Sequence, residues 1–121
     1  RDIVLKNGKN VFPEELELLV NELSGVTESI VYGATQDDGD INLHCKIVYS
    51  ENELKESNGG ELPGDIKEYY WIIIKTKINK TMPTYKYIKN VIVSTEPLIK
   101  TTTNKVKRHE ELKRIFENED K

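Results

Sequence analysis

Two runs of β-branched and aromatic residues, 28–34 and 41–49, flank a turn-forming segment rich in aspartate and glycine. Such runs on either side of a short polar turn predict an antiparallel β-hairpin. In the second run apolar and polar residues alternate, which predicts one face in a core and one face toward solvent. The apolar set is Leu43, Cys45, Ile47 and Tyr49, and the polar set is Asn42, His44 and Lys46. His44 is therefore predicted to be a surface residue.

Pro13 marks the predicted start of a helix. Proline is tolerated at the first helical position because the N–H that it lacks would be unpaired there, and the acidic residues that follow suit the positive end of the helix dipole. Apolar residues then recur at spacings of three and four from Leu16 to Leu23. This periodicity predicts one buried face, and the pair Ser24-Gly25 is typical of a helix end.

A longer helix is predicted over residues 65–83. The isoleucines at 72–74 taken alone would favour a strand, but the length of the segment favours a helix. Ile66, Tyr70 and Ile74 are spaced by four and would share one face, and Pro83 would end the helix. Length and spacing therefore favour a helix over a strand for this segment.

The remaining segments are short. A strand, a tight turn and a strand are predicted around Asn7-Gly8, a dipeptide suited to positive φ. The polar segment 50–65 is predicted to be a surface loop with a short helical start, 90–94 a strand and 100–108 a hairpin. A terminal helix over 109–119 would dock Leu112, Ile115 and Phe116 on the sheet. Together these elements predict an α+β fold, a small two-layer domain of short antiparallel strands and hairpins packed against two to three helices.

Length and charge restrict the class of protein. A chain of 121 residues suits a single domain, 1–121. Its 18 basic and 21 acidic residues give a net charge of −3, which argues against a protein held to nucleic acid by bulk charge. The cations are nevertheless concentrated, with nine Lys or Arg between Lys75 and Arg108 against one acid, Glu96. An anionic ligand would be attracted to that segment.

The cysteine content and the termini bear on the cellular setting. Cys45 is the single cysteine, so an internal disulfide is excluded and a reducing, cytoplasmic location is expected. No apolar run approaches the roughly 20 residues of a transmembrane helix, and no secretory signal pattern opens the chain. Because the chain begins at Arg1 rather than at methionine, it is expected to be a domain taken from a longer protein.

Three segments carry distinctive motifs. They are 3–17 (IVLKNGKNVFPEELE), 78–93 (INKTMPTYKYIKNVIV) and 97–108 (PLIKTTTNKVKR). In this order they resemble the opening, the middle and the last signature of the small C-terminal subdomain of AMP-forming, adenylate-forming enzymes. That superfamily includes acyl-CoA synthetases, peptide-synthetase adenylation domains and firefly luciferase. The resemblance implies the fold of that subdomain and a large N-terminal domain as its partner in the same parent chain.

The last signature of the family is usually written Lys-Thr-x-Ser-Gly-Lys-x-x-Arg. By this correspondence its residues are Lys100, Thr101, Thr103, Asn104, Lys105 and Arg108. In the family the second lysine, here Lys105, bridges the substrate carboxylate and the nucleotide while the carboxylate attacks the α-phosphorus of ATP. Two anions approach each other in this step, so a cation on a flexible stem suits it. Asn104 replaces the glycine, and asparagine adopts the left-handed region more readily than most residues.

The opening motif implies a second role. In the family the small subdomain rotates after adenylation, and the loop after its first strand then lines a passage for the pantetheine of CoA. Gly8 corresponds to the glycine of that loop, and Lys9 and Asn10 follow it toward the CoA phosphates. A residue without Cβ lets a thin ligand pass close to the backbone, although an ordinary Asn-Gly turn would also explain Gly8. The hinge of the rotation falls at Arg1 and Asp2.

The resemblance thus implies a long-chain fatty-acid CoA ligase that uses ATP, Mg²⁺ and CoA, with ATP and Mg²⁺ bound mainly by the large domain. The isolated domain would be inactive, and no metal ligand is expected in it. One alternative is an adenylation domain that loads a carrier protein. Another is an anion- or RNA-binding module that uses the basic segment. A third is a protein-interaction domain, which would expose an apolar stripe on residues 66–78.

Overall fold

The computed structural model describes residues 2–119. Its elements in chain order are β1 (Ile3–Val4), β2 (Asn10–Val11), α1 (Pro13–Asn21), β3 (Val26–Thr35), β4 (Ile41–Tyr49), α2 (Glu51–Ser57), α3 (Ile66–Ile73), β5 (Ile88–Ser94) and α4 (Arg108–Glu119). A π-helical turn at Ile74–Ile78 extends α3, and two 3₁₀ turns lead from it to β5. The predicted α+β class is confirmed. None of the helices in the described part of the chain is long and apolar enough to cross a membrane.

The main sheet has three strands in the order β3-β4-β5, and β1 and β2 form a separate antiparallel pair. β3 and β4 pair antiparallel, with Val26 opposite Tyr49 and Thr35 opposite Ile41, so the predicted hairpin is confirmed. β5 pairs with β4 in parallel, which differs from the antiparallel arrangement expected for the short strands. Parallel neighbours need a long crossover connection, and residues 50–87, with α2 and α3, supply it.

One face of the sheet is covered by α1 and α3. Leu43, Cys45 and Ile47 of β4 meet Tyr70 of α3 and Ile74 of its π-helical extension in this core, and none of the five is more than 2% exposed. Each such side chain contributes about 1.5–3 kcal/mol by leaving water. The faces predicted for β4 and for α3 are therefore the ones that are buried. Burial also raises the pKa of the Cys45 thiol.

The opposite face of the sheet is covered by α4. The second core consists of Ile30, Tyr32, Val48, Leu98 and Ile115. On this face Lys46 is only 6% exposed and His44 is half-buried, so the prediction that they face solvent is corrected. The alternation in β4 is the predicted one, but α4 packs over the polar side and adds a third layer to the predicted two. Burial consequently lowers the pKa of His44.

Residues 50–65 are predicted to be a surface loop with a short helical start, and the structure shows a helix of seven residues there, α2. Ser50 is the N-cap of α2, and its hydroxyl accepts a hydrogen bond from the Glu53 N–H at 3.2 Å. Leu54 on this helix is fully buried in the first core. The segment is thus a structural part of the crossover to β5 as well as a surface loop.

Candidate functional site

The predicted hairpin at 100–108 is present, and its two legs are joined at the base. Lys100 and Val106 form an antiparallel bridge. The Lys107 N–H donates to the Ile99 carbonyl at 2.8 Å, directly below that bridge. The hairpin therefore leaves the body of the domain as one tight unit between β5 and α4.

The tip of this hairpin is a turn that places Lys105. The Thr101 N–H donates to the Lys105 carbonyl at 2.8 Å, and the Asn104 N–H donates to the Thr101 carbonyl at 2.9 Å. The Thr101 hydroxyl accepts from the Lys105 N–H and lies 3.0 Å from the Thr103 hydroxyl. Asn104 has φ +69°, the left-handed region. Asparagine at the position of the family's glycine thus still makes a left-handed turn.

Three of the four cations in the hairpin are paired with carboxylates. The pairs are Lys100–Glu28 at 2.8 Å, Arg108–Glu17 at 2.6 Å and Lys107–Glu110 at 3.6 Å. Lys105 is exposed, and no carboxylate within residues 2–119 pairs with it. The pairs of Lys100 and Arg108 attach the hairpin to β3 and α1, and Lys105 is available for an anion that comes from elsewhere.

Three carboxylates anchor the hairpin, two through backbone N–H groups and one through the Arg108 side chain, and none of them is predicted as a site residue. Glu28 accepts the Leu98 N–H at 3.0 Å, and Glu111 accepts the Ile99 N–H at 2.9 Å. Glu17 accepts from the Arg108 guanidinium, but in the sequence it is one of several acidic residues that follow Pro13. Each contact joins residues that are distant in sequence, so charge alone does not reveal it. The acids Glu17, Glu28 and Glu111 are the supporting residues that sequence reasoning missed.

Glu111 is the most enclosed of these carboxylates. It is 0% exposed, and its Oε2 accepts from Lys46 Nζ at 2.9 Å. Its Oε1 accepts from Arg114 Nη2 at 2.6 Å. Burial alone would raise the pKa of Glu111, but the hydrogen bonds from Lys46, the Ile99 N–H and Arg114 outweigh it and hold the pKa below its ordinary value.

The loop between β1 and β2 carries Gly8. Gly8 has φ +86°, and a Cβ built on it would have no atom within 4 Å. The conformation therefore calls for glycine, while the space around it is open. The Leu5 N–H donates to the Lys9 carbonyl, and Lys9 Nζ lies 4.9 Å from the centre of the Tyr85 ring. Asn10 is exposed at the start of β2.

A groove of about 350 Å³ lies next to this loop. Its lining includes Leu5, Lys6, Asp40, Tyr85 and Lys89. The groove combines two cations and one carboxylate with aromatic and aliphatic surface. These groups suit a ligand that carries an anionic part and an apolar part.

The two candidate regions lie at opposite ends of β3. Lys6 Nζ donates to the Asp38 carbonyl in the turn after β3, whereas Lys100 pairs with Glu28 near the beginning of that strand. The strand between Glu28 and Thr35 extends about 23 Å at roughly 3.3 Å per residue. The structure therefore does not bring the Gly8 loop and the base of the Lys105 hairpin together.

The remaining predicted site residues are at the beginning of the chain. Arg1 lies outside the described residues. Asp2 is half-buried and directly precedes β1. In residues 2–119 no group of three or more His, Cys, Asp and Glu side chains is arranged to hold a metal ion.

Two of the alternative functions find little support in the surface. Four of the nine cations between Lys75 and Arg108 have a carboxylate within 4 Å: Lys86, Lys100, Lys107 and Arg108. The basic segment is therefore partly neutralised from within. In α3 and its extension Tyr70, Ile74 and Ile78 are buried, and Ile72 is the one large hydrophobic residue among 66–78 that is exposed. An apolar stripe for docking a partner is not formed.

Comparison with known proteins identifies the fold. No protein-family model matches the sequence, and no curated protein matches it in sequence. Among solved structures, apo MatB from Rhodopseudomonas palustris has a TM-score of 0.70 and 20% identity, with 99% of this chain and 20% of that chain covered. A Mycobacterium tuberculosis fatty acyl CoA synthetase has a TM-score of 0.60 and 24% identity over 93% of this chain and 19% of that chain. An o-succinylbenzoate CoA synthetase, MenE, from Bacillus subtilis has a TM-score of 0.56 and 22% identity over 93% of this chain and 20% of that chain.

These similarities concern a limited part of the larger proteins. The chain spans about a fifth of the length of each of the three structures named above. At identities of this size the match establishes a shared fold. The α+β arrangement predicted from the sequence is thus the fold of one portion of these larger proteins.

Proposed function

We propose that this chain is the C-terminal subdomain of an AMP-forming acyl-CoA ligase that acts on long-chain fatty acids. The observation that carries the proposal is Lys105, an exposed cation without a carboxylate partner in the described residues, on a hairpin whose other cations are paired. The three motifs and the fold shared with named CoA synthetases support it.

In the first half-reaction a carboxylate oxygen of the fatty acid attacks the α-phosphorus of ATP. The bond from that phosphorus to the oxygen bridging the β-phosphate breaks, and its electron pair leaves with pyrophosphate. Both reactants are anions, and negative charge shifts onto oxygen during the displacement. The ammonium of Lys105, placed between the carboxylate and the α-phosphate, would lower their repulsion and stabilise that charge. ATP and Mg²⁺ would be held mainly by the large domain.

In the second half-reaction the CoA thiolate attacks the acyl carbonyl carbon, and AMP leaves with the electron pair of the acyl–oxygen bond. The Gly8 loop would line the path of the pantetheine chain. Its exposed turn, with no side chain at Gly8, supports this role. Lys9 and Asn10 would lie near the CoA phosphates.

The two half-reactions require different faces of this domain. Because the Gly8 loop and the base of the Lys105 hairpin lie at opposite ends of β3, a single orientation would not present both to one reaction centre. A rotation of the domain against its larger partner, with the hinge at Arg1 and Asp2, would present each in turn. This separation is the geometric support for domain rotation.

The choice of a long-chain fatty acid rests on the resemblance of residues 7–17 to ligases of that class. One of the matched structures is named a fatty acyl CoA synthetase, which agrees with it. The acid-binding pocket would lie in the large domain, so a panel of acids of different length tests this part of the proposal.

The test uses the full-length protein with its large domain and compares Lys105→Ala with wild type. Pyrophosphate release from ATP and fatty acid reports the first half-reaction, and thioester formation from synthetic acyl-adenylate and CoA reports the second. We expect Lys105→Ala to lose about 10²–10³-fold in the first and to stay within about twofold in the second. Lys77→Ala, another exposed lysine, should change neither. Full activity of Lys105→Ala in both assays would refute the proposal.

A further inference from the structure

We propose that Glu111 is a positioning residue for Lys105, because it holds both legs of the hairpin whose tip carries that lysine. This inference rests on the proposed role of Lys105 in adenylation. Glu111 does not approach the reacting atoms in this scheme and acts through the backbone of the hairpin.

The contacts of Glu111 define its role. Its side chain accepts the N–H of Ile99 at 2.9 Å, and its own N–H donates to the carbonyl of Lys107 at 2.9 Å. Ile99 and Lys107 are the residues that pair with each other at the base of the hairpin. One residue in the first turn of α4 therefore binds the ascending leg with its side chain and the descending leg with its backbone.

Glu111 is itself fixed to the centre of the sheet. Lys46 on the middle strand, β4, donates to its Oε2, and both partners are buried, at 6% and 0% exposure. Arg114 donates to its Oε1 from the next turn of α4. The hairpin base is thus attached through one carboxylate to the most enclosed strand of the domain.

Stability alone does not account for this ion pair. A buried pair recovers little more than the cost of removing both charges from water, and apolar replacements are often as stable. What the Lys46–Glu111 pair contributes is a fixed position of the Glu111 carboxylate, and hence of the hairpin base that it binds. Positioning matters for Lys105 because a displacement of about 1 Å at a reacting group can cost about 10²-fold in rate.

Two double variants of the full-length protein isolate the contact with Ile99. Lys46→Met/Glu111→Gln removes the buried charges and keeps an oxygen that accepts the Ile99 N–H. Lys46→Met/Glu111→Leu removes the charges and that acceptor. We expect adenylation by the leucine variant to be roughly tenfold to a hundredfold slower than by the glutamine variant, with equal thioester formation from synthetic acyl-adenylate. Thermal melting of both variants verifies that they are folded.

Combination with Lys105→Ala separates positioning from a general structural effect. If Glu111 acts through Lys105, the leucine double variant slows adenylation no further in a Lys105→Ala background. Equal adenylation by the two double variants, a parallel loss of both half-reactions, or full additivity with Lys105→Ala would overturn the inference. Should the leucine variant fail to fold, Glu111→Asp tests the same contact, since it keeps the charge and withdraws the carboxylate by one methylene. Glu111→Asp should then slow adenylation and leave thioester formation from synthetic acyl-adenylate unchanged.

The parallel measurement on Lys105→Ala distinguishes the two levels of the proposal. If Lys105→Ala adenylates normally, the proposed function fails and this inference fails with it. If Lys105→Ala is impaired while the two double variants are equal, only the inference about Glu111 is overturned.

Discussion

The guanidinium of Arg108 donates to both carboxylate oxygens of Glu17, at 2.6 and 2.8 Å, across 91 positions of the chain. Glu17 Oε2 also accepts the Val31 N–H at 2.8 Å. One carboxylate on α1 therefore joins the edge strand β3 to the first residue of α4. The last residue of the candidate hairpin is attached to the domain by this contact.

Removal of the Glu17 carboxylate should destabilise the domain. Glu17→Ala leaves the Val31 N–H without its acceptor and Arg108 without its main partner, so we expect the free energy of unfolding to fall by about 1–3 kcal/mol. Glu17→Gln keeps an acceptor and should lose less. Glu14 lies 3.9 Å from the same guanidinium and is exposed, so Glu14→Ala should change the free energy by no more than about 0.5 kcal/mol. Urea denaturation measures all three, and equal losses for Glu14→Ala and Glu17→Ala would contradict this account.

A methyl group at Gly8 should affect the thioester step selectively. Gly8 and Gly60 have φ values of +86° and +91°, and neither has an atom near its missing Cβ. Gly8→Ala and Gly60→Ala should therefore each lower the free energy of unfolding by about 1–2 kcal/mol. Only Gly8→Ala should slow thioester formation from acyl-adenylate, with pyrophosphate release unchanged. Thioester formation that is the same in both variants would argue against the Gly8 loop as the CoA passage.

The turn at Asn104 should accept glycine and reject a β-branched residue. Asn104→Gly relieves the left-handed strain but adds freedom to the unfolded chain, so the free energy of unfolding should change by less than about 0.5 kcal/mol. Asn104→Val should lower it by about 1–2 kcal/mol and slow adenylation, because the turn that places Lys105 would open. Thr102→Val puts the same side chain on an exposed neighbour without positive φ and serves as the control. A fully active Asn104→Val would show that the turn is not needed.

The ion pair of Glu111 should make stability depend on pH in the acidic range. The pKa of Glu111 is held below its ordinary value of 4.5 in the folded state, so its stabilisation is fully present above that value and is lost as the pH falls through the folded-state pKa. Thermal melting of wild type and Lys46→Met/Glu111→Gln from about pH 7 to about pH 3 should show wild type losing stability relative to the variant below 4.5. A constant difference over the whole range would contradict this assignment.

The local pattern of the sequence predicts the elements whose partners lie nearby. The β3–β4 hairpin follows from the turn residues, and the buried face of α3 and its extension at Tyr70 and Ile74 follows from periodicity. The parallel pairing of β5 does not, because it depends on how the crossover 50–87 packs. Lys46 would face solvent in an isolated hairpin, and α4, which covers it, is encoded much later in the chain.

The same distinction applies to the candidate site. Lys105 and the left-handed Asn104 can be located by motif, since both lie within one short signature. The ion pairs that anchor the hairpin cannot be located in this way, because Glu28 and Lys100 are 72 positions apart and Lys46 and Glu111 are 65 apart. An acid in a sequence with many charges has no visible partner until the fold brings one to it.

The parallel pairing of β5 with β4 also bears on the order in which the chain folds. β3 and β4 are joined by a short turn, so their closure costs little entropy, whereas β5 can pair only after the crossover 50–87 has closed a much longer loop. The hairpin with Lys105 follows β5, and its anchor Glu111 lies further on in α4. We therefore expect the segment that carries Lys105 to form late in refolding. A chain that ends before α4 would form the sheet but would lack the Glu111 contact that holds the hairpin of Lys105 in position.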